Sequence, residues 1–565
     1  MRQFAILILL VINFSLYAAD RVVYTSYVNG KEQSRGGKTI LEYADSTVRI
    51  KTELAGVQQM PLSMEEATYV DLRKQMIYRT MVNKDGASFT VKTAFSELQP
   101  LTYKQEEAVI EVGKKQYKCK KVQVVLFSNT IEMWYTDELR IKGNPSPRNG
   151  MPGGLVLKWV RNGNTELRAT EIQLEKKAPR VSLLPSGFGT FTDDAGYYAR
   201  SVENFVTTVT VFDDEQICWG WDQPNPADEN SDQVFHFVNG TVIARKVRLP
   251  ENTDGHSVYA ELTQYSNGDA YDRTGTVFMI PVNGERTFLE GLRNGKEFLP
   301  VYKTATSEYQ GVVRTETYEP LVELMRFFTS FGVGHFNDKR SVEGMKWREK
   351  SFFKQDISQF RSLLEREAWI GVFIGNYDKG GHKVSLDLKF HPNRMRQSTG
   401  TEHKPFILPL FNTLNVMEMG GQNYGTMFGS DSLTVEFEIP EGLKTLQLRY
   451  ITTGHGGWGN GDEFVPKENI ILVDGKVEYR FTPWREDCAT YREWNPASGN
   501  SWNGLTSSDY SRSGWCPGTI TNPVTVDLSH LKPGKHRMQV AIPLGKPEGS
   551  SFSSWNVSGV MVGSF

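Results

Sequence analysis

Along most of the chain apolar and polar positions alternate one for one over short runs, the spacing of strands that bury one face. In the first third, "TVRIKTEL", "KVQVVLFSNTIEMWYT", "GLVLKWV" and "ELRATEIQL" keep this period between polar turns. They predict an antiparallel β-rich domain over residues 20–182. The charged "EKKAPRVSLLPSGFG" closes it, and the Pro- and Asp-rich "CWGWDQPNPADENSDQ" reads as a long loop, so 183–232 is expected as a linker. Alternation resumes at "VFHFVNGTVIARKVRLPE" and runs through "HKVSLDLKFHP", where Val384, Leu386, Leu388 and Phe390 share one face. "STGTEHKP" marks a boundary between a strand block over 233–396 and another over 397–565. In the latter, "LTVEFEIP", "TLQLRYI", "NIILVDGKVEYRF" and "HRMQVAIP" read as half-buried antiparallel strands, the third folded at Asp474 and Gly475. Only "YEPLVELMRFF" and "DISQFRSLLER" look helical, as inserts between strands. The expected fold is all-β, two sandwiches side by side behind a smaller β-rich domain.

At 565 residues the chain exceeds a single core and is expected to divide into about three or four domains. Lys plus Arg number 64 against 66 Asp plus Glu, a net charge of -2, so no global basic field points to nucleic acid. Residues 1–19 combine Arg2, an apolar run from Phe4 to Leu16, and small Ala18 and Ala19, which predicts a cleaved secretory signal. That run is too short to span a bilayer comfortably, no cysteine follows it to take a lipid, and no later stretch reads as a membrane helix. A soluble protein, periplasmic or secreted, is therefore expected, and a monomer. Export permits disulfides, and Cys488 and Cys516 flank a loop-rich stretch with few core residues, where a covalent tie restrains the chain. They are expected to pair. Cys119 and Cys218 read as buried or free thiols, with no second soft ligand near either and no metal site expected.

Two stretches carry candidate chemistry. "TTGHGGWGNGDEFVP", residues 452–466, sets His455 and Trp458 among glycines ahead of Asp462 and Glu463. Glycines let backbone turn tightly or approach a ligand, a Trp offers a flat apolar face with one donor, and a carboxylate beside them can move protons. "NGDAYDRTGTVFMI" places Asp269, Tyr271, Asp272 and Arg273 before an apolar strand. Each has a plainer reading: "NGD" is a common turn signal, an Asp beside an Arg is usually a surface pair, and most tryptophans are core. The glycine cluster lacks the Lys-Ser/Thr of a phosphate cradle.

"DAYDRTGTVF" resembles the "DEWDRY" region of the peptide:N-glycosidase F family. The runs "ELMRFFTSFGVG", "FKQDISQFRSLLEREAWIGVF" and "YDKGGHKVSLDLKF" follow that family's order, as do "PFILPLFNTLNVMEMGGQNYG", "LRYITTGHGGWGNGDEFVPKENIILVDG" and "GLTSSDYSRSGWCPG". Several motifs in one order from about residue 233 to the C-terminus are more specific than any one. The resemblance implies two eight-stranded antiparallel jelly rolls side by side with the active site at their interface. Nearer the N-terminus, "YKCKK", "EMWYT" and "GMPGGLVLKW" resemble GLPGLI-type, LolA-like secreted domains, implying a bowl-like half-barrel.

Carried over by position, the resemblance makes Asp272 and Glu463 the catalytic acids, Arg273 the arginine beside the first acid, Tyr271 the position of an aromatic, and Arg512 and Trp515 residues that line the sugar pocket, all four as substrate-binding candidates; Cys516 matches a disulfide partner. His455 and Trp458 join as candidate sugar contacts. The family's third acid has no counterpart in "VFIGNYDKG", where Asp378 is the nearest carboxylate, and the cysteines bracketing the family's "DEWD" loop are missing. The implied activity is hydrolysis of the Asn–GlcNAc amide of N-glycoproteins, without metal or organic cofactor. Arg273 is expected to hold the Asp272 carboxylate and Arg512 to polarise the amide oxygen. An endo-acting glycoside hydrolase also uses two carboxylates, and a non-catalytic N-glycan-binding protein would keep the aromatics. A copper monooxygenase needs clustered imidazoles, whereas the nine histidines include no His-x-His.

Overall fold

The computed structural model describes residues 19–565 apart from 34–36, 54–65, 84, 230–231, 252, 254, 283, 341–342, 393–403, 423–426, 430, 457–460, 499–505 and 545–552. The chain forms two compact units, one ending at Phe205 and one spanning Val206–Phe565. Among the described residues no helix is long and apolar enough to cross a membrane.

The first unit is one large sheet in which most sequence neighbours are also hydrogen-bonded neighbours, from the short Thr190–Phe191, which pairs with Ser88–Ala94, at one end to Thr102–Val112 at the other. The strands Asp20–Val28 and Thr165–Gln173 pair in its middle. Val48 and Val70 from one half share a buried cluster with Val112, Tyr117 and Leu157 from the other, so the sheet must curl to bring them together. The stretch expected as a linker is structured. It carries the helix Asp194–Glu203, capped where Asp193 accepts from the Gly196 amide at 2.7 Å, and the strand Thr207–Ile217.

That strand opens the second unit by pairing with His382–His391, so the first roll begins before 233. Alternation predicts the architecture well here. Ser257–Ser266 and His382–His391 bury every second residue, and their inward faces meet the opposing sheet in a core containing Val258, Leu262, Leu386 and Phe390. The first jelly roll pairs a four-stranded with a six-stranded antiparallel sheet, and the second pairs two four-stranded sheets. The edge strand that completes the six-stranded sheet, Ile520–Thr521, comes from the second block and pairs with Val322–Phe328.

Both expected helices are corrected. Val322–Phe328 is a strand with all seven residues buried, and Ser358–Leu363 is a 3-10 turn anchored by Phe360. The strand's run is continuous because both of its faces are covered. Val322, Leu324 and Phe327 enter the first core, while Glu323 and Arg326 belong to a polar layer shared with the second roll. There the fully buried Arg326 pairs with Glu323 at 2.7 Å and donates across to the Asn556 carbonyl at 2.6 Å and Thr453 Oγ1 at 3.1 Å. In return Arg449 of the second roll donates to the carbonyls of Glu323 at 2.9 Å and Leu324 at 3.1 Å, and Ser558 donates to the Glu323 carboxylate. Burial pulls the Arg449 guanidinium down to about 10, which leaves it charged at neutral pH.

Removing one member of such a layer strands a buried charge. Arg326→Met is expected to cost about 3–5 kcal/mol of unfolding free energy, and Glu323→Gln in the same chain to recover part of it. Chemical denaturation of both variants reads this out.

Candidate active site

The first candidate stretch is fixed around Asp269, not Asp272. The Asp269 carboxylate takes Arg273 Nε at 2.6 Å and Nη2 at 3.2 Å, the Tyr271 amide at 3.2 Å, and His382 Nε2 at 3.3 Å. Gln264 holds the other nitrogen of the buried His382 at 2.9 Å. Burial pushes the Asp269 carboxyl up, but the bonds from His382 and Arg273 outweigh it and hold the group at about 2. Asp269 is therefore a permanent anion that orients the turn. Arg273, expected on Asp272, is committed to this structural pair.

The second stretch is held by a turn inside the disulfide-closed loop, just before Cys516. Ser513 donates its amide to the Glu463 carbonyl at 2.9 Å and its hydroxyl to the Asp462 carbonyl at 2.5 Å, and Trp555 Nε1 donates to the Asp462 carboxylate at 2.9 Å. The loop sits so close that a Cβ on Gly454 would lie 2.8 Å from the Asp462 carbonyl, the Ser513 Cβ and the Trp555 ring, so no side chain fits. Cys488 and Cys516 are bonded, as expected, and a two-way backbone bridge joins Arg485, just ahead of that tied loop, to Arg512 within it. Cys119 and Cys218 are free and buried.

Arg512 joins the two stretches. Its Nη1 lies 3.2 Å from Asp272 Oδ2 and also bonds Glu463 Oε1, while Nη2 donates to the Ser507 carbonyl at 2.6 Å. The guanidinium stacks 4.3 Å from the centre of the Trp515 ring and 5.0 Å from that of Phe464. Its side chain is 2 % exposed, whereas Asp272 keeps 16 % and Glu463 20 %, so the carboxylates meet solvent and the cation does not. Burial raises the pKa of both acids above the carboxylate range; Arg512 opposes this for each, and the negative charge of Asp272 adds to the rise of Glu463. A close pair of carboxylates with raised pKa values can hold one proton between them while one member stays ionised.

The remaining predicted residues divide by exposure. Trp515 is 2 % exposed, stacked 4.1 Å from Phe328 and donating to the Gly454 carbonyl at 2.9 Å, so it supports Arg512 from within. His455 bonds Thr453 at 2.8 Å and lies beside the Phe328 and Trp515 rings; burial, with Arg326 and Arg512 nearby, drives it down to about 3, so it is neutral. Tyr271 is 60 % exposed, with Arg273 4.9 Å from its ring centre. Trp458 lies outside the described residues. Asp378 closes a turn, accepting from the amides of Gly380 at 2.7 Å and Gly381 at 2.8 Å. The acid that sequence reasoning missed is Glu418, in the Asn415–Gly420 turn, which takes the Tyr377 hydroxyl at 3.2 Å and is raised chiefly by burial. His382 was missed as well, because a lone histidine in a strand carries no signal. Among the described residues no three His, Cys, Asp or Glu side chains are grouped to hold a metal ion.

These charges set signs that can be measured. Asp272→Asn removes a negative neighbour and is expected to lower the Glu463 pKa, whereas Arg512→Gln raises both carboxyls, each followed by carboxyl carbon NMR titration. Because the pair's folded pKa values lie above their unfolded values, the native state holds a proton that the unfolded chain has released. The stability this confers is lost as pH rises from the ordinary carboxylate range through the raised values. Glu463→Gln is therefore expected to raise the melting temperature relative to the parent at about pH 8, and less so near pH 4.

Comparisons with known proteins identify the family. The family model "Peptide-N-glycosidase F, N terminal" matches residues 208–390, "Peptide-N-glycosidase F, C terminal" matches 423–562, and "N-glycanase peptide, N-terminal domain" matches 22–198. The chain is similar to PNGF-II crystallised in space group P21, with 43% identity and a TM-score of 0.85 over 96% of this chain and 99% of that one. It is similar also to PNGF-II in space group C2, with 42% identity and a TM-score of 0.81 over 97% and 98%. No curated protein sequence matches. The chain belongs to the peptide-N-glycosidase F family, and its first unit is that family's N-glycanase N-terminal domain.

Proposed function

We infer that this protein is an amidase that hydrolyses the bond between an Asn side chain and the first GlcNAc of an N-glycan, releasing the glycan whole and leaving Asp. The observation that carries the reading is the convergence of Asp272 and Glu463, one from each jelly roll, on a single nitrogen of the buried Arg512. An amide is a poor electrophile whose nitrogen leaves only when protonated, so its hydrolysis asks for a base and an acid at once. Two carboxyls with raised pKa values and one proton between them supply both.

In this reading Glu463 positions the water, and the ionised member of the pair takes a proton from it as the oxygen adds to the amide carbon. Asp272 lies beside the first sugar, and the protonated member of the pair gives its proton to the departing glycosyl nitrogen. Arg512 keeps the pair from accumulating two uncompensated charges. The exposed Tyr271 offers its ring to a sugar face. N-glycoproteins are the corresponding partners, and the apolar leader read over 1–19 assigns the enzyme to the periplasm or the exterior, acting as a monomer.

The test is digestion of a denatured N-glycoprotein in heavy-oxygen water followed by peptide mass analysis. Each site is expected to change from Asn to Asp carrying one heavy oxygen; a GlcNAc left on Asn would instead mean endo-glycoside hydrolysis and overturn the reading. Asp272→Ala is expected to slow release by about 10²- to 10⁴-fold while glycopeptide binding persists.

A further inference from the structure

The stretch "CWGWDQPNPADENSDQ" takes no part in the chemistry above, yet it builds a cavity. With the start of the first jelly roll it borders an open cavity of about 370 Å³ lined by Trp221, Gln223, Asn225, Glu229, His236 and Arg293, among others. The Trp221 and His236 rings are stacked 3.7 Å apart at 7°. Asn225 locks His236 by accepting from its amide and donating to its carbonyl, both at 2.7 Å. Glu229 and Arg293 form an ion pair at 2.7 Å that leaves both groups partly exposed. His236 Nδ1 is buried without a hydrogen-bond partner among the described residues, and burial draws the imidazole down to about 4, so it is an uncharged polar group.

The floor of the cavity is held rigidly. Val238, Asn239 and Gly240 adopt φ of 51°, 61° and 92°, an uncommon run of left-handed residues that is unfavourable for a β-branched valine. The Asn239 carbonyl accepts from the amides of Gly220 at 2.9 Å and Trp221 at 3.3 Å. A Cβ on Gly240 would lie 2.5 Å from the Trp221 Cβ, so the loop seats directly on this turn.

Its position ties it to the carboxylate pair. The Trp219 amide donates to the Asp378 carbonyl at 3.0 Å and approaches Asn376 Oδ1 at 3.2 Å, fastening this loop to the one that presents Tyr377. Tyr377 is 57 % exposed and Arg273 lies 5.6 Å from its ring centre, between it and Tyr271. Exposed rings at Tyr271, Tyr377 and Trp219 thus link the residue beside Asp272 to the cavity.

We propose that the Trp221–His236 cavity is a distal carbohydrate subsite, which takes a neutral pyranose ring of the same N-glycan beyond the sugars nearest the scissile amide. Aromatic, amide and paired-ion groups suit a neutral polyol: rings cover the apolar sugar face, while amides, carboxylate and guanidinium share vicinal hydroxyls. Glu229 and Arg293 cancel in charge, so the cavity has no preference for a phosphate. A volume of 370 Å³ is at the small end of ligand clefts and accommodates a single ring.

The proposal rests on the glycan-amidase reading, and its test separates the two. Release from a glycopeptide bearing a full high-mannose glycan is compared with release from one bearing chitobiose alone, in the parent, Trp221→Ala and Glu229→Gln. Trp221→Ala is expected to lower the ratio of kcat/KM for full over truncated glycan by about 3- to 10-fold, and Glu229→Gln to lower it less. Glu229→Gln keeps the ring stack, so it remains informative should the first variant fold poorly. An unchanged ratio in a folded variant overturns the subsite. If the parent releases neither glycan, the amidase reading fails, and the subsite is decided by tryptophan quenching with free oligomannose. Quenching that disappears in Trp221→Ala supports it, and no quenching in the parent overturns it.

Discussion

The second unit depends on a layer of buried charge between two sandwiches. Sheets that met through apolar side chains alone would find many nearly equivalent registers. Arg326 has few, because its guanidinium must reach Glu323 on its own strand and the Asn556 carbonyl and Thr453 across the interface. Arg449 repeats the constraint in the opposite sense. Burying these groups contributes little net stability, since desolvation offsets most of the attraction. It does fix one roll against the other, and the separation of Asp272 and Glu463 follows from that fixed relation.

The site uses the same economy of cations. Two carboxylates brought under partial cover repel each other and lose hydration, and a single guanidinium between them keeps their ionisation within reach of neutral pH. Arg512 can do this because it cannot move: rings flank it, a backbone bridge to Arg485 restrains it, and the Ser507 carbonyl fixes its far nitrogen. Asp269 shows the contrasting case. Given Arg273 and His382 as partners it is locked as an anion and serves to hold the turn. Two aspartates three positions apart thus receive different tasks from their surroundings.

Much of this was legible in the sequence. Strict alternation gave the half-buried strands, because there a one-sided environment writes itself into the pattern. It failed at Val322–Phe328, where both faces are covered and polarity no longer alternates, and a continuous apolar run then suits a helix equally well. Motif order singled out Asp272, Glu463 and Arg512, which the fold brings together. Which guanidinium serves which carboxylate was not legible, since Arg273 is adjacent to Asp272 in the chain yet pairs with Asp269, while Arg512 arrives from the other roll. Trp515 read as a sugar face and is an internal prop, a distinction of burial that composition does not encode. Glu418 was invisible for a related reason: its neighbour Tyr377 lies in the other block.

The strand Ile520–Thr521 completes the first roll's sheet although it belongs to the second block of sequence. Synthesis has to pass well into the second block before that sheet gains its final edge, so the first roll does not mature by itself as it emerges. Premature termination upstream of it would leave the first roll's sandwich with an open rim.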